Sequence, residues 1–186
     1  MKIFMTIVIV IFLLAVGVAA FTWSGIYNVA ATDPHWPVTV WFLNEVQERS
    51  VHVHSKGISP PPLKDQKPVE IGFSHYHTMC RLCHGAPGIF PEEFAKGLNP
   101  KPPDLTSEDV RELSRAELYW VVKNGIKMTG MPAFGITHTE DELWAMVTLV
   151  NRLPDLTPEE YKAMMMNARG EGAASHHGGH HHEGHE

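Results

Sequence analysis

Cys80-Arg81-Leu82-Cys83-His84 is the stretch from which the rest of the chain is read. It holds both cysteines of the 186-residue sequence, spaced C-x-x-C and followed at once by a histidine. That is the pattern of covalent haem attachment. On a helix Cys80 and Cys83 stand at i and i+3, with His84 at i+4 from the first, so the three side chains share one face. Two thiols can then take up the haem vinyl groups as thioethers while His84 offers an imidazole nitrogen to the iron. A thioredoxin-like dithiol wants a βαβ setting, which the flanks do not suggest. A structural zinc site wants a second pair of cysteines, and the sequence has none.

Around the motif, residues 69–156 read as one small, mostly α-helical domain. A first helix is expected from Val69 into the haem motif, broken by Gly85, Pro87 and Gly88. Between Pro91 and Pro103 the chain is irregular, with a short helix expected at Glu92–Lys96. Ser114-Arg115-Ala116-Glu117 is a capping box that opens a helix ending at Asn124-Gly125. Thr139-Glu140-Asp141-Glu142 opens another, with Leu143, Trp144, Met146, Val147 and Val150 along it and Pro154 as its stop. No alternating strand pattern is present. A domain of this size needs the haem itself as part of its core.

An iron held by His84 has a sixth position to fill. Met128-Thr129-Gly130-Met131-Pro132-Ala133-Phe134-Gly135 lies between two expected helices and offers two thioethers. Met131 is the chosen ligand, because Gly130 permits close backbone approach and Pro132 stiffens the loop. Met128 lies nearer the preceding helix end. With both axial positions taken, the iron changes charge without changing ligands, and a thioether favours the ferrous state.

Gly72, Tyr76, the CRLCHG motif, Pro87, the GMPAFG loop and the final LWAMVTLVNRLP helix together make residues 69–154 resemble a class I monohaem cytochrome c. The resemblance implies one covalent haem c and reversible one-electron transfer to and from redox partner proteins, a carrier rather than an enzyme. It implies that the first and last helices cross, with Gly72, Tyr76 and Trp144 at the contact. It also implies that Pro87 or a neighbouring carbonyl orients the imidazole of His84.

The N-terminal part falls outside that resemblance. Residues 1–21 are apolar almost without interruption from Ile3, and 19 residues at about 1.5 Å each span about 28 Å, close to a bilayer's hydrocarbon core. The run exceeds a signal-peptide core, and Trp23 and Tyr27 follow where an interfacial aromatic belt sits, so a retained single-pass anchor is expected. Lys2 places the N-terminus in the cytoplasm of a bacterial cell and the haem domain in the periplasm. Residues 22–54 are a juxtamembrane segment with an amphipathic helix after Pro37, for which three settings stay open: the membrane surface, the haem domain, or another membrane subunit. Residues 55–68, with Pro60, Pro61, Pro62 and Pro68, are expected to be a semi-rigid linker and a domain boundary.

Residues 157–169 are expected to form a short helix and 170–186 a disordered His-rich tail. His176, His177, His180, His181, His182 and His185 are candidates for loose divalent-metal binding, with Met164, Met165 and Met166 as possible thioether donors to copper. The net charge of −6, from 21 acidic and 15 basic residues, gives no footprint for nucleic acid. Three functions therefore compete: electron transfer in partnership with a membrane redox enzyme, a gas-sensing or peroxide-reactive haem, and redox-linked metal handling by the tail. No acid–base constellation supports the second, since His75, His77 and His138 read as polar surface residues.

Overall fold

The computed structural model describes residues 1–62 and 69–175, which divide into two compact units, Met1–His35 and Trp36 onward. In the first, α1 runs over Lys2–Ser24 with no buried residue, and Gly25 ends it in the left-handed conformation (φ 66°). Its 23 residues are long and apolar enough to cross a membrane. The loop that follows is closed on itself: Tyr27 Oη lies 3.0 Å from His35 Nδ1, and the Asn28 amide donates to Asp33.

The second unit is built from helices joined by irregular segments. Its elements are α2 (Pro37–His54), α3 (Val69–His75), a π-helical turn (Tyr76–Cys80), α4 (Arg81–His84), α5 (Arg115–Asn124), α6 (Glu140–Arg152) and α7 (Pro158–Ser175). No strand occurs among the described residues, and the expected short helix near 92–96 is a 3₁₀ turn at Glu93–Gly97. The pattern of α6 explains its central place. Leu143, Met146, Val147 and Val150 recur at helical spacing and are buried, together with Leu149 and the following Leu153. Phe73 and Tyr76 from the first helix and Leu118, Tyr119 and Val122 from α5 complete the core around them.

Gly72 sets the closest approach. A Cβ there would stand 2.2 Å from the Ala145 carbonyl oxygen, so only glycine lets the α3 backbone press onto α6. Trp144, expected at the same contact, instead stacks on Tyr119 of α5 at 4.1 Å with planes 14° apart, and the Arg115 guanidinium lies 5.7 Å from its ring. Residue 144 is next to the crossing in sequence, but a one-residue step turns a helical side chain by about 100°.

Two segments outside residues 69–156 also join this unit. Near its C-terminal end α2 packs on α5, with Val51 buried, His52 Nδ1 donating to Glu117 Oε1 at 3.2 Å, and His54 against the Trp120 ring at 5.7 Å. Arg115 Nη1 donates to the Pro61 carbonyl at 3.3 Å. The first part of the proline segment, through Pro62, thus lies along the helices as a strap, where the sequence suggested a spacer separating α2 from the domain. The helix after Thr157 runs to Ser175, six residues past the expected end at 169. Tyr161 is fully buried, and Met164 and Met165 pack against the core, which draws those two thioethers away from a copper-binding role. Residues 176–186, and with them all six tail histidines, lie outside the described residues.

Gly72→Val should lower the stability of the holoprotein by about 3 kcal/mol, because the added atoms have no space to enter. Denaturant titration followed in the far-ultraviolet checks this. A pH dependence follows from the helix starts. Glu117, Glu142 and Glu160 each accept from the backbone N–H and hydroxyl of Ser114, Thr139 and Thr157, and those bonds hold all three carboxyls below the ordinary 4.5. A carboxyl with a depressed folded pKa adds stability that is complete above its unfolded value and disappears as pH falls through the folded one. Stability should therefore fall on acidification below 4.5, and the triple Glu→Gln variant should show a shallower fall in thermal midpoint over that range.

Candidate haem attachment site

The motif is carried on one continuous helical path whose middle is under-wound. Arg81 N–H donates to the carbonyl of Tyr76, five residues back, so Tyr76–Cys80 form a single π turn between α3 and α4. Cys80 and Cys83 are both free thiols and half-buried. Burial pushes the Cys80 thiol up to about 12, with a further push from the neighbouring Cys83, and burial raises Cys83 as well. A redox-active dithiol or a thiolate metal site calls for the opposite shift.

His84 closes the helix. Its Nδ1–H donates to the Pro103 carbonyl at 2.8 Å, which fixes the tautomer and leaves Nε2 as the ring nitrogen available to a metal. Burial lowers the pKa of His84, opposed by this bond and by Asp104, so the imidazole is held neutral, the form that ligates. The sequence led to Pro87 or its neighbour for this task. The acceptor is instead a backbone oxygen 19 residues further on, delivered by the irregular segment after Pro91. Behind the motif, Tyr76 is fully buried and its hydroxyl donates to the Gly85 carbonyl at 2.7 Å, anchoring the chain where it leaves α4.

Met131 sits in a loop tied by one residue that sequence reasoning passed over. Thr129 Oγ1 donates to the Ile126 carbonyl at 2.8 Å and accepts from Met131 N–H at 3.1 Å, while Ile126 N–H donates to the Met131 carbonyl at 3.2 Å. A hydroxyl two residues before the ligand candidate, able to bond its own backbone, was the available signal. Gly125, with φ 64°, is the tight glycine here, since a Cβ would lie 2.7 Å from the Met131 carbonyl. Gly130, expected to allow the close approach, faces the side chain of Leu98. Met131 is half-buried; Met128 is 86% exposed and occupies a left-handed turn position (φ 62°).

The segment 91–103 joins the two halves of the site, with Leu98 against Gly130 and Pro103 on His84. Two free thiols on successive turns followed by a tautomer-fixed imidazole are donors that fit a c-type haem. Residues 67–150 match the family model of cytochrome c oxidase, cbb3-type, subunit III. This stretch is similar to a cytochrome c domain. No curated protein matches the chain. The cytochrome c domain points to haem-based electron transfer, and proteins of this class bind their haem covalently.

The remaining histidines of the domain serve packing. His77 stacks on Phe73 at 5.4 Å and its Nδ1 lies 3.1 Å from Tyr161 Oη. His75 pairs with Glu142 at 3.6 Å and meets the His138 ring edge at 5.0 Å, and His138 donates to the Phe134 carbonyl. All three are half-buried between helices rather than on the open surface. Two clefts, of about 140 and 360 Å³, are lined by α3, the π turn and α7 and by α5, α6 and residues 58–59, and none of Cys80, Cys83, His84 and Met131 lines either.

Tyr76→Phe should cost about 1–3 kcal/mol, because it leaves the buried Gly85 carbonyl without its donor. Thermal unfolding of the holoprotein measures the loss.

Proposed function

We propose that the chain is a membrane-anchored electron carrier with a single haem c. In this reading Cys80 and Cys83 would carry the two thioether links to the haem, and His84 Nε2 and Met131 Sδ would hold its iron. A haem held there supplies a one-electron Fe(III)/Fe(II) couple. The observation that carries this reading is the fixed tautomer of His84 immediately after two free thiols, in a domain matched by a cytochrome family model. Thr129 and Gly125 hold the Met131 backbone, so the loop has little freedom to swing its thioether away and open the iron to a substrate. That supports a carrier over a gas-sensing or peroxide-reactive haem.

In the same reading α1 stays in the bacterial cytoplasmic membrane as a single-pass anchor, and the haem domain lies in the periplasm, where c-type haem is attached. The matched family model describes an oxidase subunit. This supports a membrane redox enzyme as the partner that gives or takes the electrons.

Met131→Ala should abolish the far-red methionine-to-iron charge-transfer band of the ferric protein and let the ferrous protein bind carbon monoxide, which the parent chain should resist. A band that persists in this variant would remove Met131 from the iron and reopen Met128. Cys80→Ala and Cys83→Ala should each leave one thioether, and the double variant should release its haem under denaturing electrophoresis. Membranes solubilised in mild detergent and fractionated on the tagged chain should yield a second redox protein.

A further inference from the structure

The surface of α2 carries an apolar stripe that the cytochrome c domain leaves open. Val51 marks the side that packs on α5. At 100° per residue, Val38, Phe42, Val46 and Val53 all fall about 140–180° around the helix from it. These four are exposed, Phe42 by 57% and Val38 by 63%, and Trp41 beside them by 66%. Val40 and Leu43, nearer the α5 side, are also exposed, by 41% and 38%, and the row is the most continuous part of an apolar surface that costs free energy in water and that something covers.

We propose that α2 lies in the interfacial layer of the lipid bilayer, stripe downward, and so seats the cytochrome c domain on the membrane. The proposal rests on the reading of α1 as a membrane anchor. Three observations select lipid. First, the chain has only twelve residues, 25–36, between the end of α1 and the start of α2. The contact between Tyr27 and His35 draws that connector together and shortens its reach. Second, tryptophan is the residue of the headgroup region, and Trp36 and Trp41 stand at the start of α2 as Trp23 stands at the end of α1. Third, the one cation near the stripe is Arg49, which falls between Val46 and Val53 on the same side. Its long stem can lie along the apolar row while the guanidinium reaches a lipid phosphate. Glu45 borders the stripe and Glu48 lies away from it, so attachment comes from apolar area and needs no anionic lipid.

The test uses the full-length holoprotein in phosphatidylcholine vesicles that contain a phospholipid with a photoreactive diazirine high on one acyl chain. After irradiation, lipid adducts are mapped by mass spectrometry. Adducts on α1 and on the Phe42–Val46 part of α2 are expected. In the Phe42→Asp/Val46→Asp variant those on α2 should fall at least about tenfold, while those on α1 stay unchanged, as loss of two buried apolar side chains implies. Both substitutions are at exposed positions, so an unchanged haem absorption spectrum will confirm the fold. Adducts on α1 with none on α2 overturn the proposal and leave the anchor standing, with the stripe facing water, a second copy or another protein. Adducts on α2 alone remove the anchor on which the proposal rests and overturn it in this form. Adducts on neither overturn both.

Discussion

The approach of α3 to α6 at Gly72 is the constraint to which the rest of the domain is referred. With a Cβ excluded by the Ala145 carbonyl, the two backbones sit closer than any other residue would permit. Both stretches that carry the proposed haem ligands start from this contact. Following α3 forward leads through the π turn to Cys80, Cys83 and His84; following α6 backward leads over Thr139 into the loop that holds Met131. A shift at the crossing would therefore move an imidazole and a thioether relative to each other, although neither touches Gly72. The buried side chains of α6 then gather α5 onto the same reference, and α3 holds α7 through Phe73 and Tyr161, so the core shares one origin.

The attachment of α2 changes the picture of how the domain is held. A proline segment taken alone suggests reach, since extended polyproline advances about 3.1 Å per residue. Here the residues before it are already bound to α5 through Val51, His52 and His54, and Pro61 is held by Arg115. Whatever restrains α2 restrains the haem domain too. The long helix α7 has a similar effect at the other terminus, with Tyr161 buried beneath it against Phe73 at 5.1 Å.

Local chemistry was the legible part of this protein. The three capping boxes at Ser114, Thr139 and Thr157 announce their helices because the signal lies within four consecutive residues, and the C-x-x-C-H motif names its cofactor in the same way. The buried face of α6 follows from its period. What stayed hidden depends on backbone or on distant partners. The Pro103 carbonyl that fixes His84 carries no side-chain signature, and its 19-residue separation follows from the path of a loop. The docking of α2 rests on one buried valine and two histidines whose partners are more than sixty residues away in sequence, which no periodicity reveals. Thr129 was readable in principle, as a hydroxyl placed to bond its own loop, and was outweighed by the neighbouring glycine and proline.

The π turn at Tyr76–Cys80 has a consequence for helical phase. In an unbroken α-helix the eight residues from Gly72 to Cys80 would leave the first thiol about 80° out of line with the glycine, whereas absorbing one residue in the wide turn reduces the offset to about 20°. The extra residue works as a phase corrector, turning the thiol back to the side of the helix that faces α6. The tolerance of this stretch to changes in length is then uneven. Removing one residue within 76–80 restores a plain helix with its flanks still in register, while removing one from α3 rotates the whole haem motif by about 100° away from the partner helix.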